Sequence, residues 1–107
     1  MTPHNSGDFD VIWLPKVLRI LHHWAGEAAS LGMSRQFDRV LRLLEIELHT
    51  DPERFGDPLY DYKQITATEY RGLVSKWFYV FYGVDRKARQ VVVRGAATVA
   101  GSRLTNL

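Results

Sequence analysis

The sequence predicts an α+β domain in which a helical hairpin packs on a small, mainly antiparallel twisted sheet, in the order β-α-α-β-β-β. Three observations carry that expectation. Trp77-Phe78-Tyr79-Val80-Phe81-Tyr82 is an unbroken run of aromatic and β-branched residues, a composition that favours strand over helix. Arg89-Gln90-Val91-Val92-Val93-Arg94 follows a turn-like segment and has the right length to return beside the first run. Upstream, two stretches with apolar residues at three- and four-residue intervals are separated by a short connector at Gly32.

Phe9-Asp10-Val11-Ile12-Trp13-Leu14 reads as the first strand, with Phe9, Val11 and Trp13 on one side and Ile12 and Leu14 on the other. Pro15 suits the first turn of a helix, where its missing donor costs nothing. That helix runs to about Leu31 on the stripe Val17, Ile20, Leu21, Trp24, Ala28 and Leu31, and Gly32 is placed to end it in a left-handed conformation. Ser34 is the expected cap of a second helix whose buried stripe is Phe37, Val40, Leu41, Leu44 and Leu48.

Asp51-Pro52 stops the second helix or opens a short extra turn. Between Arg54 and Thr66 the chain is polar, with Leu59, Tyr60, Tyr62 and Ile65 available to pin it as an ordered excursion. Ala67 to Val74 then forms a strand, Ser75-Lys76 connects it to the aromatic run, and Gly83 to Ala88 forms a turn. Gly95 to Ala100 extends the last strand or bends away from it. The expected organisation is a flexible lead over residues 1–8, one domain over 9–100, and a loose terminus over 101–107.

The chain has 107 residues, 46% hydrophobic and 24% charged, which fits one ordinary globular domain. Cysteine is absent, so disulfide, thiolate and cysteine-metal chemistry are excluded. The opening residues carry no signal-peptide pattern and no apolar run spans a bilayer, so the expectation is a cytoplasmic protein without a membrane partner. Net charge is +2, but residues 1–53 hold five Lys/Arg against eight Asp/Glu, and residues 54–107 hold nine against four. The sheet half is therefore basic and suited to phosphates or an acidic partner.

The common chemistries find little support. His22 and His23 are adjacent and point about 100° apart on a helix, so they are not a one-turn ligand pair. No metal or cofactor is expected. Glu45 and Glu47 diverge around their helix, and no glycine cluster joins a strand to a helix as a phosphate loop requires. What remains is a basic and aromatic set on the sheet: Arg71 and Tyr79 as candidate catalytic residues, with Tyr70, Lys76, Arg94 and Arg103 as candidates for binding nucleic acid or a partner. Arginine grips phosphate bidentately and tyrosine stacks on bases. Arginine is a poor general base, and tyrosine, with a reference pKa near 10, needs tuning to become one.

The element order and several local phrases resemble the RelE/ParE-like toxin superfamily. The resemblance runs from Phe9–Pro15 through the helical pair and Asp51-Pro52 to Gly56. It is clearest in Glu69-Tyr70-Arg71, in Phe78-Tyr79-Val80-Phe81-Tyr82, and in Gly83-Val84-Asp85 leading to Val91-Val92-Val93. It implies a type II toxin neutralised by a cognate antitoxin. RelE-like members cut messenger RNA on the ribosome without a metal, and ParE-like members poison DNA gyrase. Arg71 looks like the basic residue that follows tyrosine in the RNA-cutting branch. The chain departs from that pattern at Leu73, where a second cation is usual, and at Tyr79, where the pattern has arginine. Neither Arg94 nor Arg103 aligns securely with the cation near the end of the last strand. The resemblance therefore implies a toxin-like protein that recognises a macromolecule without the usual nuclease site. The alternatives are a ribosome-dependent endonuclease with an unconventional Arg/Tyr site, a gyrase inhibitor, or a non-toxic interaction protein.

Overall fold

The computed structural model describes residues 8–105. The lead expected over residues 1–8 lies, except for Asp8, outside the described residues. Strand β1 (Asp10–Trp13) is followed by helix α1 (Pro15–Ser30), helix α2 (Ser34–Thr50) and the single turn α3 (Pro52–Phe55). Strands β2 (Asp57–Asp61), β3 (Ala67–Val74), β4 (Phe78–Asp85) and β5 (Gln90–Thr98) complete the chain. The five strands form one sheet in the order β1-β5-β4-β3-β2, antiparallel except for the parallel pair β1/β5.

Alternation along β4 sets the layers. Phe78, Val80, Tyr82 and Val84 are buried on the side that the helices cover, while Tyr79 and Phe81 on the other side are half-buried. Helix α1 contributes Val17, Leu21, Trp24 and Ala28 to that core, and α2 contributes Phe37, Leu44 and Leu48. Trp24 packs on Phe78 with ring centroids 4.9 Å apart. Each such fully buried side chain contributes on the order of 1.5–3 kcal/mol.

The hairpin connector is set by Gly32, whose φ is 71°. The Met33 N–H reaches the Ala28 carbonyl at 2.8 Å and the Gly32 N–H reaches Ala29 at 3.0 Å, which satisfies the last carbonyls of α1. This ending places Met33 at the head of α2. Ser34 is consequently the first helical residue rather than the cap, and no side-chain cap bond forms.

Three further segments differ from the sequence expectation. Within the expected ordered excursion, Asp57–Asp61 is an edge strand; its residues are all exposed, so no buried alternation marked it. Gly83–Asp85 continues β4, and the turn falls on 86–89, where Asp85 Oδ1 accepts from the Ala88 N–H and Arg89 takes φ 55°. The terminal segment over 101–105 is docked rather than loose. Leu104 is buried, the Trp24 indole N–H donates to the Thr105 carbonyl at 2.7 Å, and Glu27 accepts from both the backbone and hydroxyl of Thr105. Trp24 needs a partner for its buried N–H, and the tail supplies it.

Candidate functional site

Because the helices lie on one side, the opposite side of the sheet presents the odd-numbered residues of β3 and β4: Glu69, Arg71, Leu73, Tyr79, Phe81 and Gly83. Arg71 is exposed, and its guanidinium carbon sits 5.0 Å from the centroid of the Tyr79 ring. This cation–π contact aligns the arginine without consuming its charge. Among the described residues Arg71 has no carboxylate partner. Leu73 beside it is about half exposed, at 51%. The face thus combines a free cation with an aromatic and aliphatic floor.

Arg94 reaches the same side by a different route. The β4/β5 register passes from Tyr82↔Val93 to Phe81↔Gly95, so Arg94 is the extra residue of a bulge. A bulge re-aims the side chain it carries. The Arg94 guanidinium donates to the Tyr62 hydroxyl and lies 3.6 Å from Glu69 Oε1. Tyr62 in turn donates to Glu69 Oε1 at 2.5 Å. Glu69 is only 5% exposed, so its charge is balanced by Arg94 rather than by water. Burial, the hydrogen bond to Glu69 and that carboxylate's charge push the Tyr62 hydroxyl up to about 12. Such a hydroxyl is a weaker acid than an ordinary tyrosine and supplies even less phenolate near neutrality to act as a base.

The other sequence candidates fall elsewhere. Tyr70 is buried on the helix side, stacked on Tyr82 at 5.5 Å, and its hydroxyl donates to Glu53 Oε2 at 3.3 Å. Its ring thus lies on the helix side of the sheet, away from Arg71 and Tyr79. Lys76 and Arg103 come together in a cleft of about 270 Å³ with Met33, Ser75, Trp77 and Gly101, at the end of the molecule where α1 meets α2. The structure thus brings Arg71 and Tyr79 together, diverts Arg94 into the Tyr62–Glu69 cluster, and pairs Lys76 with Arg103. Sequence reasoning missed Tyr62 and Glu69. An acidic residue alternating with Arg71 in a basic half of the chain was the available signal.

Two of the described histidines have polar neighbours within the fold. His49 Nδ1 bonds the Phe9 carbonyl at 2.8 Å and His23 lies 3.7 Å from Glu27. Among the described residues no three His, Cys, Asp or Glu side chains are grouped to hold a metal ion, and no helix is long and apolar enough to cross a membrane.

No family model matches the chain, and no curated protein matches it. Among solved structures it is similar to a chain of the archaeal RelE-RelB complex from Pyrococcus horikoshii OT3. The TM-score is 0.64 at 17% identity, covering 89% of this chain and 99% of that one. At that identity the likeness speaks to architecture alone. The α+β arrangement of a helical hairpin on an open, mainly antiparallel sheet is a RelE-like fold.

Proposed function

We propose that this protein is the toxin-like component of a type II toxin-antitoxin module, acting by recognition of a macromolecular target through its uncovered sheet face. The supporting observation is the Arg71–Tyr79 pair: an exposed guanidinium without a carboxylate partner, held over an aromatic ring on a sheet side that the helices leave open. That combination suits a phosphate beside a base or an acidic protein segment. The RelE-RelB complex has a chain of the same fold bound in an assembly, which favours an antitoxin partner for this one.

Recognition is favoured over cleavage because the second arginine on this face, Arg94, is committed to Glu69 and Tyr62. Cutting at a 2′-hydroxyl needs a base and stabilisation of the crowded phosphate. Arg71 stabilises charge but accepts no proton, and Tyr62 is pushed away from the useful range.

Expression in a bacterial host tests the reading. Growth should stop on induction, recover when the small antitoxin reading frame that this reading places beside the gene is co-expressed, and continue with Arg71→Ala. Growth unaffected by the parent protein, with no complex formed with the neighbouring product, overturns it. Purified protein on translating ribosomes should leave messenger ends unchanged. Codon-proximal cuts lost in Arg71→Ala would establish the endonuclease alternative, and a supercoiling assay with gyrase separates the remaining target.

A further inference from the structure

On the helix side of the molecule, turned away from Arg71, α2 carries more apolar residues than its packing uses. Phe37, Leu44 and Leu48 are buried in the core, with Val40 and Leu41 half-buried beside them. Leu43 and Ile46 point away from that stripe and stand 56% and 55% exposed. Spaced by three residues, they are neighbours on one outward face. A single exposed leucine is ordinary on a surface; two adjoining apolar side chains in the middle of an otherwise polar face call for a covering element.

The charge along the same helix divides at this pair. Ser34 to Arg42 carry Arg35, Arg39 and Arg42 against Asp38, whereas Leu43 to Asp51 carry Glu45, Glu47 and Asp51 and no lysine or arginine. All of these are exposed except Glu47, which is half-buried. The order opposes the helix dipole, which favours acidic groups in the first turn and basic ones in the last; the first turn of α2 has no acidic residue and the last has only His49. Helix stability therefore does not account for it. The basic end is also concave, with Arg35, Asp38, Arg39 and Arg42 lining a depression of about 250 Å³ that has room for an acidic side chain. Such a helix is complementary to a copy of itself only when the copy is turned end for end. Parallel copies set arginine against arginine, and antiparallel copies set each basic half on an acidic one.

We infer that the outward face of α2 is the interface of a two-fold dimer of this chain, in which the two α2 helices pack antiparallel across Leu43 and Ile46. With the axis beside Leu43, Arg39 comes opposite Glu47 of the second copy, Arg42 opposite its Glu45, and Ile46 opposite its Val40. Each of these contacts occurs twice, as an isologous interface requires. One helix pair buries less than the roughly 1,200 Å² of a lasting assembly, so the dimer is weak and forms with rising concentration. The open sheet face lies on the other side of the molecule, and the inference does not rest on the toxin-like reading.

Sedimentation equilibrium of the full chain from about 1 μM to about 1 mM, a range that covers weak association, tests the inference. The parent should pass from monomer to dimer, less readily as salt rises. Arg39→Glu and Glu47→Arg should each weaken dimerisation about tenfold or more, because two symmetry-related contacts turn from attractive to repulsive. An equimolar mixture of these two variants should recover dimerisation, since both contacts between positions 39 and 47 across the mixed pair again join opposite charges. A change in the stability of α2 alone would not produce that recovery. Leu43→Ser should weaken the dimer as the charge reversals do, and circular dichroism checks that each variant is folded. A parent that is monomeric throughout, an assembly larger than a dimer, charge reversals or Leu43→Ser without effect, or a mixture no better than its components overturns the proposal. A monomeric parent whose complex with the co-expressed antitoxin is lost in Leu43→Ser would assign the face to that partner and overturn it too.

Discussion

Glu69 and Arg94 approach to 3.6 Å although they belong to β3 and β5, which are separated by β4. The contact is made above Gly83, which pairs with Glu69 in the register and has no side chain to stand between them. Tyr62 closes over the same glycine: a Cβ added there would meet the Tyr62 hydroxyl at 3.3 Å and Glu69 Oε1 at 3.6 Å. Gly83→Val would therefore lift Tyr62 and open the cluster while leaving the helix side intact. The expected cost is about 1–3 kcal/mol, the range for overpacking a close contact. It should appear as a lowered denaturation midpoint with unchanged slope, together with greater Tyr62 fluorescence accessibility.

The same cluster sets a pH response. Tyr62 is pushed from 10.0 to about 12 by burial first, then by the Glu69 hydrogen bond and charge, with Arg94 opposing. A raised value means that the folded state holds the proton more tightly than the unfolded chain. Its contribution to stability is full below pH 10 and is lost as pH rises toward about 12. Tyr82, raised still further by burial, acts in the same direction. In Glu69→Gln the desolvation remains but the carboxylate's charge is gone, so Tyr62 should titrate lower than in the parent and still above its ordinary value. Tyrosinate absorbance against pH measures this. An unchanged titration would separate Tyr62 from Glu69.

Much of the fold was legible because its signals are local. The buried alternation Phe78, Val80, Tyr82 follows from residue type along one strand, and the helical stripes of Val17 to Ala28 and Phe37 to Leu48 follow from spacing. The edge strand was not legible, since Asp57 to Asp61 pairs through backbone on one side only and buries no side chain. The common facing of Arg71 and Tyr79 was legible, since alternation along neighbouring strands puts both on the side the helices leave open. It was hidden at Arg94, because a bulge breaks the alternation from which facing is read. The docking of Leu104 was hidden too. It depends on Trp24 and Glu27, more than seventy residues away in the chain.

Tyr82 joins the sheet to α3 through its hydroxyl as well as through its ring, which stacks on Phe55. Its hydroxyl, at the inner end of a fully buried ring, donates to the Pro52 carbonyl at 2.6 Å. Tyr82→Phe keeps the stack on Tyr70 but leaves that carbonyl without this donor. The expected loss is about 1–3 kcal/mol, the cost of an unsatisfied buried acceptor. Hydrogen exchange should rise first at Arg54 and Phe55, whose amides close the single turn of α3. A loss spread evenly over β4 would instead point to the ring's packing.

The tail offers a sharper test of the core, because one side chain anchors it. Leu104 is 4% exposed and belongs to the same apolar cluster as Trp24 and Phe78. Leu104→Ala should cost about 2–5 kcal/mol if the tail is as well packed as an interior element. The value should lie toward the lower end, since a terminal segment can relax into the space it vacates. Loosening the tail also weakens the Trp24–Thr105 bond and frees Glu27 from Thr105. That carboxyl, held below its usual value chiefly by the Thr105 hydroxyl, should then titrate higher. Thermal unfolding and the Glu27 carboxyl titration by NMR read the two effects separately. A large stability loss with Glu27 unmoved would mean that Leu104 supports the core while Thr105 holds its place on α1 independently.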